Sequence, residues 1–289
     1  MIDLHMHSTC SDGTDSVETL IKNVAKAGID FFSITDHDTA HASRMVLEDE
    51  NLKKIIKESN LTFVPGIEFS CVLNGRNTHI LAYDIDPFSK EVIELEAEYS
   101  ALSKEKDKCR FKIIEDAGFV LSEKSKEFLS TRENIRDPDI ANCLVNDGYF
   151  DDIEKVFSEF IRKINYPRKY LLDPYKVIKT MSEVGAKLVW AHPLHGLNQK
   201  PLTFEQVEEI ATDFKNYGLV GLECYYSLYN KEEIEGLKKI AKKLGLYISG
   251  GSDYHGKNKK IKLAQMSSEE IDVDDKELNI VKTFKNLVN

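Results

Sequence analysis

The chain has 289 residues, 42% hydrophobic and 30% charged, with a net charge of −10: enough for one large α/β domain or a domain with an insert, and too acidic for a general binder of nucleic-acid backbone. No apolar run approaches the length of a membrane span, and the five cysteines are scattered, odd in number and free of C-x-x-C spacing, which argues against a disulfide framework and a thiolate zinc knot. The chain opens on a strand with no basic-then-apolar leader, so the expected location is the cytoplasm.

Short runs rich in β-branched and aromatic residues predict seven strands, at about 2–6, 31–35, 62–69, 78–84, 187–191, 219–225 and 246–250. Helices separate most of them. Asp15 reads as the cap of a helix that Gly28 stops. Asn74-Gly75 predicts a tight turn, which makes strands three and four a hairpin. From 87 to 172 the alternation breaks into charged, helix-period sequence, with helices expected over Lys90 to Gly118, Pro138 to Gly148 and Asp151 to Lys163. We read it as a helical insert. Alternation resumes with a helix opened by Asp173-Pro174 and ended at Gly185. Thr203 with Gln206, and Asn230 with Glu233, have capping-box spacing, with Gly218 and Gly245 as stops. The last segment, about 268–289, reads as a terminal helix. Alternating β and α argue for a largely parallel sheet, rolled or open.

Six of the eight histidines fall at expected strand ends, most with an acidic residue nearby. His5 and His7 are one residue apart on a strand, so both face the same side. Asp12 follows in a glycine-containing loop. His37 ends the second strand after Asp36, which we read as orienting a neighbour rather than as a ligand. Glu68 interrupts the apolar run Thr62-Phe63-Val64-Pro65-Gly66-Ile67, and a buried carboxylate needs a cation or hydrogen-bond donors. His192 ends one strand, and Asp253 with His255 repeats the i, i+2 spacing beyond the last. His79 stands at the start of its strand, and a hairpin reversal would bring it to the same rim. Imidazole with carboxylate suits divalent transition ions, and these nine residues are too many for one ion. Mn²⁺, Fe²⁺ or Zn²⁺ all fit such a donor set, and multinuclear sites of this kind commonly hydrolyse phosphoesters. His41 reads as a helix start, and His195 as a loop residue within reach of substrate. Tyr225, Tyr226 and Tyr229 follow strand six, where Tyr225 could stack a base. Lys257, Lys259, Lys260 and Lys262 could steer an anion.

The motifs DLHMHSTCSDGT (3–14), ITDHDT (34–39), VPGIEFS (64–70), THILAY (78–83), AHP (191–193) and SGGSDYHG (249–256) resemble the PHP family, the polymerase and histidinol phosphatase domains. Among its members the chain looks most like stand-alone phosphoesterases acting on nucleoside 3′,5′-bisphosphates and short 5′-phosphorylated RNA. The resemblance implies a distorted (β/α)7 barrel formed by 1–86 and 173–289, with 87–172 as a helical insert and substrate cap. It also implies a centre of two to three divalent ions. His5, His7, Glu68 and Asp253 would hold the first ion, Asp12, His37 and His255 the second, and Glu68, His79 and His192 the third. Relatives carry basic residues near the position of Ile140-Ala141, where this chain is acidic. Arg132, Arg136, Arg168 or Lys169 would then supply the phosphate clamp. Metal-activated water would attack phosphorus, with Glu68 and His192 in the catalytic centre and His195 as a proton donor to the leaving oxygen. The expected partner is a phosphorylated small molecule, nucleotide or short oligonucleotide, with no membrane and no stable complex with long nucleic acid. The rival readings are a histidinol-phosphate or other small-molecule phosphatase, an amidohydrolase-type enzyme, and a metal-stabilised binding scaffold.

Overall fold

A computed structural model of the chain describes residues 1–132, 134–164, 170–195, 199–269, 271 and 273–289. These divide into two compact units, Met1–Leu95 with Leu172–Asn289, and Glu96–Leu171.

The first unit is mixed α/β. Strands β1 (Ile2–Asp3), β2 (Phe31–Phe32) and β3 (Thr62–Phe63) form a parallel sheet in that order. A second sheet runs β4 (Gly66–Leu73), β5 (Arg76–Tyr83), β6 (Lys187–Ala191), β7 (Leu219–Tyr226) and β8 (Tyr247–Gly251). Only Val64 and Pro65 separate β3 from β4, so these two together occupy the third expected strand.

The expected hairpin joins β4 to β5. Asn74 and Gly75 both take positive φ, 48° and 77°, as a two-residue turn matched to strand twist requires. β5 therefore runs antiparallel to both β4 and β6, while β6, β7 and β8 are mutually parallel. Isolated backbone bridges form just beyond the strand ends: Met6 pairs with Tyr254, and His37 with Glu68 of β4, both in parallel sense.

Helices α1 (Val17–Lys26), α2 (His41–Glu48) and α3 (Glu50–Glu58) pack on the first sheet through a cluster that includes Leu20, Ile21, Val24, Val46 and Ile56, against Phe32 and Phe63. Ser16, not Asp15, caps α1, with its side chain accepting from Thr19 N. Asp15 instead accepts from Asn23 and from the Tyr254 hydroxyl, a partner distant in sequence. Of the later helices, α8 (Pro174–Glu183) starts at Asp173. α9 (Phe204–Tyr217) and α10 (Lys231–Leu244) each carry the expected capping box. No terminal helix forms among the described residues of the last segment. Two short 3-10 turns, Asp275–Glu277 and Asn279–Thr283, lead to an extended end. There Val288 bridges Phe63, and the backbone N–H groups of Lys285 and Asn286 donate to Asp84. Burial of Leu278, Ile280 and Phe284, together with these long-range bonds, outweighs the local helical preference.

The second unit is helical: most of α4 (Lys90–Asp116), then α5 (Glu123–Ser130), α6 (Asp137–Asn146) and α7 (Ile153–Glu159). α5 was not expected from the sequence, although Ser122 caps it in an ordinary way. Its core includes Ile114, Leu129, Ile140, Leu144 and Val156. No described helix is long and apolar enough to cross a membrane.

Candidate metal centre

The nine residues singled out at strand ends converge. Their donor atoms fall into four overlapping groups: His7, Asp12, His37 and His255; His5, Glu68 and His192; His5, His7 and Asp253; His37, Glu68 and His79. Within each group the atoms lie within 4.8 Å of one another.

Glu68 is the hub. It points from the middle of β4 into the cluster and is fully buried. Its Oε1 lies 2.9 Å from His79 Nδ1 and 3.2 Å from His192 Nε2. Its Oε2 lies 3.1 Å from His5 Nε2, 3.2 Å from His7 Nε2 and 3.1 Å from His37 Nδ1. Five imidazoles thus meet one carboxylate. The hairpin explains how His79 takes part: its reversal sets His79 beside Ala191, the residue before His192.

Asp253 Oδ1 stands 3.2 Å from His7 Nε2 and 3.6 Å from His5 Nε2. Its Oδ2 accepts from the Tyr226 hydroxyl at 3.0 Å and from Lys259 Nζ at 2.6 Å. Asp12 Oδ1 meets His255 Nε2 at 3.2 Å. The approach of the strands is close: a Cβ on Gly251 would lie 2.3 Å from the His5 Cβ, so only glycine fits there. His192 and Asp253 both sit at positive φ, 29° and 56°. Such strain in non-glycine residues persists where the surroundings impose it, and it clusters at functional sites.

Supporting carboxylates hold this geometry. Asp36 accepts from Ser8 N, Ser8 Oγ and Ser11 Oγ, pinning the loop between His7 and Asp12. Asp3 accepts from Ser252 and from the backbone of His5 and Ala264. Glu223, which sequence reasoning missed, bonds His5 Nδ1 at 2.8 Å and the His192 backbone N–H at 2.7 Å. Its signal was the same as that of Glu68, a carboxylate inside an apolar strand.

The donor set fits divalent ions. His5 Nε2, both ring nitrogens of His7 and Glu68 Oε2 are buried without a hydrogen-bond partner, although they approach one another closely. Buried polar atoms of that kind are rare unless something else satisfies them. Burial disfavours charge on Glu68, yet the imidazoles of His5, His37 and His79 outweigh it and hold the carboxyl well below its usual range. Asp12 and Asp253 are lowered in the same way, Asp12 mainly by His255 and Asp253 mainly by Lys259. Against burial, the surrounding carboxylates raise His5 well above its ordinary value and His7 to about 9, whereas burial keeps His37 and His255 low. The pocket therefore carries ionised carboxylates together with a mixture of charged and neutral imidazoles.

The remaining candidates are dispersed. His195 is partly exposed, with Nε2 2.8 Å from Glu233 Oε1 and its ring against Tyr229. His41 opens α2. Tyr225 is buried, with its hydroxyl donating to Glu277 and Lys238 over its ring, so it offers no open face for a base. A register shift in β7 between Glu223 and Tyr225 re-aims these side chains, and it is Tyr226 that reaches Asp253. In the helical unit Arg132 lies 3.3 Å from Asp139. Arg136 is buried and donates to the Tyr99 hydroxyl. Arg168 and Lys169 lie outside the described residues.

Residues 3–217 match the PHP domain family. The chain belongs to that family. It is 26% identical over 255 residues to a 5′-3′ exoribonuclease of Haemophilus influenzae, covering 88% of this chain and 89% of that protein. It is 23% identical over 257 residues to a 3′,5′-nucleoside bisphosphate phosphatase of Chromobacterium violaceum, covering 88% and 87%. Among solved structures, a Bifidobacterium adolescentis protein with a provisional assignment as a metal-dependent phosphoesterase superposes with a TM-score of 0.79. It is 25% identical, and the match covers 99% of this chain and 96% of that one.

Proposed function

We propose that this PHP-family protein hydrolyses phosphomonoesters of nucleotides, either nucleoside 3′,5′-bisphosphates or short 5′-phosphorylated RNA. The chain is a metal-dependent phosphoesterase, a hydrolase of phosphoric esters. The nucleotide substrate class is supported by the relatives named for exoribonuclease and bisphosphate phosphatase activity.

The observation that carries the reading is Glu68, one buried carboxylate faced by five imidazoles. We assign His5, His7, Glu68 and Asp253 to one ion, Asp12, His37 and His255 to a second, and Glu68, His79 and His192 to a third. Mn²⁺, Fe²⁺ and Zn²⁺ all suit the donors. When bound, these ions supply an ionised water for attack on phosphorus and positive charge for the phosphoryl oxygens. The chain's own residues do the rest. Glu68 holds two groups of imidazoles in register. Asp12, Glu68 and Asp253 limit the positive charge so that a phosphate dianion is held and then released. Lys259, half-exposed beside Asp253, binds a phosphate oxygen. We assign to His195, whose Nε2 faces Glu233, the transfer of a proton to the leaving oxygen.

For the architecture, we read the two sheets as one distorted (β/α)7 barrel. Support comes from the Met6–Tyr254 and His37–Glu68 bridges and from the Leu4 N–H bonded to Gly250 O. The five free cysteines suit a reducing, cytoplasmic setting.

The test is metal content measured together with hydrolysis of a nucleoside 3′,5′-bisphosphate, a 5′-phosphorylated oligoribonucleotide, histidinol phosphate and a cyclic phosphodiester. Nucleotide phosphate release that is lost on chelation and restored by Mn²⁺ is the expected result. Turnover confined to histidinol phosphate or to the cyclic ester would overturn the substrate class.

A further inference from the structure

Glu223 sits inside β7 with no exposed surface. A carboxylate removed from water in this way must be matched by donors. Among the described residues it has two, one for each oxygen: His5 Nδ1 on Oε1 and the His192 backbone N–H on Oε2. These donors lie far apart in the sequence, and both residues carry imidazoles that face Glu68.

Each bond has a consequence. A proton held on His5 Nδ1 leaves a lone pair on Nε2, the atom that lies 3.1 Å from Glu68 Oε2 and has no hydrogen bond. The bond to His192 N ties down a residue at φ 29°, a backbone conformation that side-chain-bearing residues rarely adopt. His5 belongs to two of the overlapping donor groups and shares one of them with His192.

The geometry points to Glu223 as a positioning residue that sets the tautomer of His5 and the turn at His192 together, so that one carboxylate prepares two neighbouring ion positions and makes their filling interdependent. This inference rests on the reading of the cluster as metal ligands. Glutamine at 223 cannot accept from both donors. If its oxygen takes the His192 N–H, its amide donates toward His5 Nδ1 and forces the ring proton onto Nε2, where it blocks ligation. In the opposite orientation two donors face each other at His192.

The experiment compares wild type, Glu223→Gln and Glu223→Asp. Mn²⁺ or Zn²⁺ alone is titrated into the metal-free proteins, bound metal is counted, melting is followed without metal, and the His5 ring tautomer is read by ¹⁵N NMR at a pH high enough for the ring to be neutral. Glu223→Gln should keep the metal-free melting temperature within a few degrees, lose about 10- to 100-fold in metal affinity and shift His5 toward the Nε2–H tautomer. Glu223→Asp should recover much of the affinity because it restores two acceptors. A Glu223→Gln protein that binds metal as tightly as wild type, with His5 unchanged, overturns the inference. So does a loss of melting temperature with no loss of affinity in the folded fraction. Should Glu223→Gln fail to fold, an Nε2–H tautomer of His5 in the metal-free wild type overturns it equally. Wild type that takes up no ion refutes the ligand reading instead, and the tautomer comparison still decides the role of Glu223.

Discussion

Both units of this chain bury charge, but they balance it differently. In the helical unit, Arg110 is almost wholly buried, and its guanidinium reaches Asp107, Asp137 and the Ile135 carbonyl at 2.5–2.8 Å. Cation and anion both come from the chain. In the α/β unit, Glu68 and Asp253 meet imidazole nitrogens that leave ring atoms without hydrogen bonds among the described residues, and Lys259 engages the outer oxygen of Asp253. A closed ion pair marks structure, whereas buried ring nitrogens and carboxylates that converge without hydrogen bonds mark a place for an external cation.

Substitution at the hub gives the largest expected effect. Glu68→Gln should lower turnover about 10³-fold or more, because it removes the carboxylate shared by the donor groups. Metal content should fall and the metal-free fold should persist. Full metal content with full turnover would remove Glu68 from its place as the hub. Arg110→Met tests the other side. Leaving its carboxylates without their cation should cost about 2–3 kcal/mol by urea unfolding, below the usual figure for a broken buried pair because Asp137 is partly exposed. Metal content should not change, and a loss of bound metal would blur the distinction between the units. Lys259→Met should have the smallest effect. We expect KM to rise about tenfold, as for one charge-assisted phosphate contact, with kcat nearly unchanged and a weaker salt dependence. A fall in metal affinity instead would make Lys259 a support for Asp253.

Legibility in the sequence followed the range of the interactions. The capping boxes at Thr203 and Asn230, the Asn74-Gly75 turn and the His5–His7 alternation were readable because each is decided within a few residues. Partners far apart in sequence were not readable. Asp15 gave up its expected capping role to Ser16 because the Tyr254 hydroxyl, from the other end of the chain, engages it. The terminal segment gave up its helix for contacts with Phe63 and Asp84. Tyr225 and Tyr226 look equivalent in the sequence, but the shift in β7 sends one to Glu277 and the other to Asp253.

By itself, the order of residues determined which side chains stand at strand ends, the family to which they belong and the chemistry they can share, because those properties depend on residue type and local period. Tertiary structure alone decided that five imidazoles meet a single carboxylate, and that Glu223 braces two of them, since both depend on strands more than a hundred residues apart coming within hydrogen-bond reach.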